Sequence, residues 1–263
     1  MTRDRPSVLC FSGHDPSGGA GIQADIETLI SFSCHAASVI TALTEQDSLN
    51  VKKIIPQRLE DIISQARTVL ADFPVQAFKI GLIGHPETAK AIAGILQDHP
   101  HIPVVLDPVL AAGGGTELAT EQLLDTIKTR LLPLTHILTP NSIEARRLSG
   151  AEDLTDAAMK LMKMGCKAVL ITGTHENTDA VSNQLYQDGE MIKSFNCTRL
   201  PYSYHGSGCT LAAALAGLIA QGLKLPDAVS RAQDYTWNAL HNAYRPGQGQ
   251  HNPARLFWTT TSL

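Results

Sequence analysis

Short apolar runs alternate with helix-period segments along almost the whole chain, and this alternation restricts the fold more than any other feature of the sequence. Residues 7–12 (SVLCFS), 77–80, 104–107, 136–139 and 168–172 (AVLIT) are largely apolar and bounded by turn residues. A strand that reads as a continuous apolar run is covered on both faces, which is the condition of a parallel sheet between helical layers. Helices are expected at 21–32, 59–73, 86–98, 120–131, 142–148 and 154–164. Pro86 stands where proline opens a helix, and Glu87 complements the dipole in the first turn. Segments 36–43 and 51–55 read as additional strands, and 181–186 with 191–195 around Asp188 and Gly189 reads as a hairpin. Apolar helices at 208–221 and 225–244 complete the pattern. The expected fold class is α/β: a single domain over residues 1–263, a doubly wound, mostly parallel sheet with flanking helices.

Composition narrows the function classes. A chain of 263 residues buries roughly three quarters of its unfolded surface and needs no disulfide or structural metal to hold it. The formal net charge is -4 and 17% of residues are charged, which argues against a nucleic-acid or membrane-surface partner, since both select a basic face. The five cysteines, at 10, 34, 166, 197 and 209, form no C-x-x-C pair and lie at no metal-ligand spacing from a histidine. They read as free thiols of a reducing compartment. The charged start at 1–6 runs into an apolar segment too short for a signal-peptide core. The longest uncharged apolar run, 206–222, falls short of a typical span and contains four glycines. A cytoplasmic protein acting on a small molecule is expected.

Open parallel sheets bind ligands beyond the carboxyl ends of their strands, so the loops there carry the argument. The first runs from Gly13 to Gly21 and opens a helix whose free N–H groups suit an anion or polar ligand. It is not a Walker A loop, because Gly19 stands where the lysine is required. A dinucleotide fingerprint matches from Gly19 to Ala24, but a Pro-containing loop separates it from the strand. A glycine-rich turn that only packs helix on strand is the third reading.

The second loop, 204–210 (YHGSGCT), leads directly into an apolar helix. Gly206, Ser207, Gly208 and Cys209 would present successive N–H groups at its N-terminus, an anion hole for phosphate oxygens or a developing oxyanion. The helix dipole is expected to lower the Cys209 pKa and make it a base or nucleophile; packing of a small residue is the plain alternative. Between these loops, Asp107 and Glu144 follow strand ends and are candidates to hold Mg²⁺ through water beside a phosphate chain. Helix capping by Asn141 or Ser142, with Glu144 in the first turn, explains the second motif equally well. Serine-hydrolase and zincin motifs are absent.

Taken in order, these loops resemble the ribokinase-like superfamily, and within it the hydroxymethylpyrimidine/phosphomethylpyrimidine kinases. The resemblance covers nearly the whole chain and rests on 12–25 (SGHDPSGGAGIQAD), 38–43 (SVITAL) with Gln46, 79–81 (KIG), 105–109 (VLDPV), 138–141 (LTPN) and 205–209 (HGSGC). It implies a ribokinase-like fold and phosphoryl transfer from ATP to the hydroxymethyl group of an aminopyrimidine, then onto the phosphate of that product, in thiamine biosynthesis. It further implies Mg²⁺ as cofactor, a small-molecule substrate and a homodimer.

By the same resemblance Cys209 deprotonates the substrate hydroxyl while Gly206, Ser207 and Gly208 stabilise the transferring phosphoryl. Gln46 reads the pyrimidine edge, and Gly13, Asp25, Leu82 and Val109 line its pocket. Asn141 and Thr172, with Gly206 and Gly208, face ATP, and Asp107 and Glu144 organise the metal. Two departures stand out: Thr172 and Gln248 occupy positions where the family usually has lysine. Charge neutralisation must then come from elsewhere. A pyridoxal kinase of the same fold and a catalytically weak pyrimidine-binding paralogue are the competing readings.

Overall fold

The computed structural model describes residues 5–262, so the charged start at 1–4 lies outside the described residues. The apolar runs form β1 (Ser7–His14), β4 (Val75–Ile80), β5 (Val104–Leu106), β6 (Ile137–Leu138) and β7 (Ala168–Ile171). The extra segments are β2 (His35–Gln46) and β3 (Val51–Pro56), and the hairpin is β8 (Ala180–Gln187) with β9 (Glu190–Thr198). All nine join one sheet in the order β3-β2-β1-β4-β5-β6-β7-β8-β9. The stretch from β2 to β7 is parallel, with β3 antiparallel at one edge and β8 and β9 at the other. Strand order reverses at β1, which has β2 on one side and β4 on the other. Such a reversal opens a crevice at the carboxyl ends of the strands.

The helices are α1 (Gly21–Ser31), α2 (Leu59–Asp72), α3 (Pro86–Asp98), α4 (Glu121–Thr126), α5 (Ser142–Ser149), α6 (Leu154–Lys163), α7 (Ser207–Ala220) and α8 (Leu225–His241). Alternate strand residues feed the two layers, as the pleat requires. Leu9, Phe11 and Phe78 pack with Ile62, Ile92 and Leu161 from α2, α3 and α6. Val8, Cys10 and Ala77 pack with Leu29, Leu215 and Val229 from α1, α7 and α8. The run from Cys209 to Leu218 in α7 is buried throughout, so this helix is apolar all round because it is enclosed all round.

The α3 bounds match the expected 86–98, with Pro86 at the start and the His85 ring accepting from Glu87 N at 3.2 Å. Other boundaries shift for local reasons. The helix expected over 120–131 loosens after Thr126 into a π-helical turn, Ile127–Leu131, before Pro133 stops it. The helix expected to reach 244 ends at His241, because Tyr244 leaves to exchange backbone hydrogen bonds with Asn252. The strand expected over 36–43 continues to Gln46 through its pairing with β3, which carries Gln46 out above the crevice.

Candidate active site

The floor of the crevice is a buried ion pair. Lys79 sits on β4 with Asp25 of α1 beside it, and both side chains are fully buried. The ammonium lies 2.8 Å from Asp25 Oδ1 and donates to Ser12 Oγ at 3.0 Å, while Ser12 Oγ donates to Asp25 Oδ2 at 2.6 Å. Burial alone would lower the lysine pKa, but the Asp25 carboxylate, with Asp107 adding to it, outweighs that and raises it. Asp25 is therefore not a wall of the substrate pocket, as the resemblance implied. It stands behind the wall as the counter-ion of a lysine, because an unpaired buried ammonium is prohibitively costly.

The first loop and the start of α7 close on each other above this floor. The buried Asp15 carboxylate accepts from Ser17 N (2.8 Å), Ser17 Oγ (2.7 Å) and Ala20 N (2.8 Å), and meets His205 Nε2 at 2.8 Å. Burial pushes this carboxyl up, yet the His205 and Ser17 contacts bring it down to about 2. Gly206 follows His205 in the left-handed region (φ 82), where a Cβ would stand 2.0 Å from the Gly19 carbonyl. Glycine is the residue type that fits both conditions. Among the described residues no side chain caps α7, so the amides following Gly206 keep their donors for the cavity, which they line. These are the amides that the sequence reading assigned to an anion hole.

Beside it, Asp107 lies just past β5, and a Cβ on Gly208 would stand 3.7 Å from its Oδ2. Burial raises this carboxyl to about 6; Lys79 and hydrogen bonds from the Cys209 thiol and Val109 N pull it partly back. Glu144 forms a capping box with Asn141: Asn141 Oδ1 accepts from Glu144 N (2.9 Å) and Glu144 Oε2 from Asn141 N (3.0 Å). Its other oxygen accepts from Leu110 N at 3.0 Å. Burial and then the Asp107 charge raise Glu144 to about 7. Val109, a β-branched residue held at φ 40, turns the chain so that this bond forms.

Cys209 corrects the expectation drawn from the helix dipole. Burial pushes its thiol up to about 12, only partly offset by Lys79, and the Asp107 and Asp25 charges add to the rise. A thiol raised this far keeps its proton at neutral pH.

These groups share one cavity of about 1110 Å³. In the order of the strands, its wall runs from Gln46 at the end of β2 through Gly13 after β1 and Leu82 after β4 to Asp107 and Val109 after β5, with Gly206 to Cys209 beside Asp107. It continues through Glu144 on α5 and Thr172 after β7 to Asn183 and Phe195 on β8 and β9, with Trp237 of α8. Asn141 also reaches the wall. Gln46 Nε2 donates to Thr44 Oγ1 at 2.6 Å, and among the described residues no donor meets its amide oxygen. Gln248 is exposed and outside the wall, since Ser48 anchors this stretch through Gly249 N (3.0 Å) and Gln250 N (2.8 Å). It does not face the region where ATP was expected.

The wall has few side-chain cations to offer an anion. Arg147 is paired with Glu117 and Glu121, and Arg199 donates to the carbonyls of Thr174, Glu176 and Thr178. Lys193 lies 4.7 Å from the Phe195 ring centroid. Among the described residues no cluster of three or more His, Cys, Asp or Glu gathers as a metal cage. The oxygen-only pair Asp107 and Glu144 nonetheless fits a hard, hydrated cation held through water, because both Glu144 oxygens already accept backbone N–H groups.

Three structural groups carried no assigned role in the sequence. Lys79 had a signal, a cation inside an apolar strand. His205 lay in a candidate loop, but its partner Asp15 is 190 residues away. Arg255 had no signal.

A family model described as phosphomethylpyrimidine kinase matches residues 15–255. The chain is 37% identical over 268 residues to a hydroxymethylpyrimidine/phosphomethylpyrimidine kinase of Haemophilus influenzae, covering 97% of this chain and 98% of that one. It is 38% identical over 255 residues to a thiamine biosynthesis bifunctional protein of Geobacter sulfurreducens, covering 95% of this chain and 52% of the relative, so it spans about half of that protein. Among solved structures, an ADP complex of Bacillus subtilis pyridoxal kinase superposes with a TM-score of 0.90 at 26% identity, over 97% of this chain and 99% of that one.

Proposed function

The chain belongs to the phosphomethylpyrimidine kinase family and has the ribokinase-like fold, and from that membership we propose that it transfers the γ-phosphoryl group of ATP to the hydroxymethyl oxygen of 4-amino-5-hydroxymethyl-2-methylpyrimidine. A second transfer, to the phosphate of that product, follows in thiamine biosynthesis. The observation that carries this reading is the single cavity that places Gln46 at one end and the uncapped start of α7 beside Cys209 and Asp107 in its middle.

The chemistry follows from that order. Gln46 offers an amide oxygen to the amino group of the ring. The hydroxyl then lies towards Cys209 and Asp107. As its oxygen bonds to phosphorus and the bridging bond to ADP breaks, the hydroxyl proton passes to the sulfur. In the same motion the thiol passes its own proton to Asp107, which is ionised at neutral pH with a pKa of about 6, so that the net transfer is from the hydroxyl, acidified as its oxygen bonds to phosphorus, to the carboxylate. Ser207, Gly208 and Cys209 amides hold the equatorial oxygens. Mg²⁺, held through water by Asp107 and Glu144, would neutralise phosphate charge when bound. The protein is proposed to act as one kinase domain in the cytoplasm and to assemble as a homodimer, which light scattering measures.

The likeness to a pyridoxal kinase favours a second reading, phosphorylation of the hydroxymethyl group of pyridoxal. Coupled ADP release with the hydroxymethylpyrimidine, its monophosphate and pyridoxal, run side by side, separates the two. Turnover with pyridoxal alone overturns the pyrimidine reading, and no ADP from any of the three leaves a binding protein.

A further inference from the structure

Arg255 is 2% exposed and lies outside the cavity wall, yet it touches both loops that form the site. Its Nε donates to Thr210 Oγ1 at 2.9 Å, its Nη1 to Glu27 Oε2 at 3.1 Å, and its Nη2 to the Gly19 carbonyl. Thr210 Oγ1 in turn donates to the Gly206 carbonyl at 2.8 Å. A Cβ on Gly206 would stand 2.8 Å from Nη2, so the guanidinium lies immediately behind the first residue of the anion hole. The Arg255 carbonyl accepts from Ser31 Oγ (2.9 Å) and Tyr235 Oη (2.7 Å), which fixes its backbone to α1 and α8. Its carboxylate partner, Glu27, is 42% exposed and so neutralises it through a solvated contact.

We propose that Arg255 is a positioning residue for the phosphoryl group: it locks Gly206 against Gly19 and sets a buried positive charge behind the anion hole. The proposal rests on the reading that ATP phosphates occupy that hole. A guanidinium suits the task because its planar fork holds three acceptors at once and never loses its proton. Charge placed behind the hole, in protein rather than water, is screened far less than a surface cation. It supplies from beneath what Thr172 and the paired Arg147 do not supply from the wall.

The test is the preference of the protein for a non-hydrolysable ATP analogue over adenosine, measured by isothermal titration. Glu27→Gln keeps an acceptor for Nη1 but removes the neutralising charge, and is expected to raise the preference by roughly two- to fivefold. Arg255→Gln is expected to lower it on the order of tenfold with adenosine binding unchanged, and Arg255→Lys to restore part of it. A purely structural arginine would weaken both ligands together. An unchanged or lowered preference in Glu27→Gln overturns the proposal, and that variant decides the matter even if Arg255→Gln does not fold. If the wild-type protein shows no preference for the analogue, the nucleotide reading fails and the proposal with it. A wild-type preference that neither variant moves removes only Arg255.

Discussion

Where β1, β4 and α7 meet beneath the cavity, polar side chains are matched one to one: Lys79 with Asp25 and His205 with Asp15, all buried, and the buried Arg255 with the partly exposed Glu27. At the end formed by β8 and β9, Lys193 rests on an aromatic ring, and Met191 and Ile192 lie open to solvent on an edge strand. The first region holds its geometry through contacts that tolerate little change; the second offers area with few fixed partners. Phosphoryl transfer depends on placing reacting atoms within a fraction of an ångström, whereas binding a planar base mainly needs apolar surface. The two constructions suit those two demands.

The sharpest way to break this comparison is at Cys209. Cys209→Ala is expected to lower kcat by roughly 10²–10⁴ with the fold retained, the usual range for a lost general base. Turnover at the wild-type rate in the ADP-release assay would remove the proton acceptor from the ordered end. Next is the floor. Lys79→Met leaves Asp25 buried without its counter-ion and is expected to cost about 3–5 kcal/mol in denaturant unfolding, much of it recovered in the Lys79→Met, Asp25→Asn double variant. An additive double variant would show that the pair is not coupled.

The pH dependence follows from the raised carboxyls. Asp107 and Glu144 stand at about 6 and about 7, above the ordinary carboxylate range near 4. The native protein therefore holds protons that the unfolded chain has released. This stability is full below about pH 4 and is lost as pH rises to about 7, on the order of 1–3 kcal/mol. The Tm of the ligand-free protein should fall over that window, and Asp107→Asn should flatten the fall. Asp15 has the opposite sign, since its depressed carboxyl contributes above about pH 4 and is lost only as pH falls through about 2. A Tm flat from pH 4 to 8 in the wild type would contradict the buried-carboxyl picture.

Smaller effects test the two ends directly. Gln46→Leu is expected to raise KM for the pyrimidine about tenfold with KM for ATP nearly unchanged, and equal changes in both would end its ring-reading role. Lys193→Ala, on the loosely held side, should change unfolding free energy by no more than about 0.5 kcal/mol. A larger loss would mean that the open end is as tightly constrained as the other.

The strands buried on both faces were legible because burial leaves an unbroken apolar run, and α3 because Pro86 and Glu87 mark its start. The uncapped start of α7 was legible as three small residues ahead of an apolar helix. What stayed hidden was pairing at a distance. Lys79 and Asp25 are 54 residues apart, and Arg255 meets Gly19 across 236. No local period records such partners. Cys209 was misjudged for a related reason: the dipole is a property of the helix itself, but the burial that overrides it comes from elements far along the chain.

The fully enclosed α7 also bears on how the site comes into being during synthesis. Its contacts run back to α1, β1 and β4, so they close loops of well over a hundred residues, the slowest class of contact to form. An emerging chain can assemble the early strands with α2 and α3 long before any amide of the anion hole exists. Until residue 255 has left the ribosome, Gly19 has no guanidinium to meet. The enclosed start of α7 is therefore assembled late, and a chain truncated before residue 255 is expected to lack it.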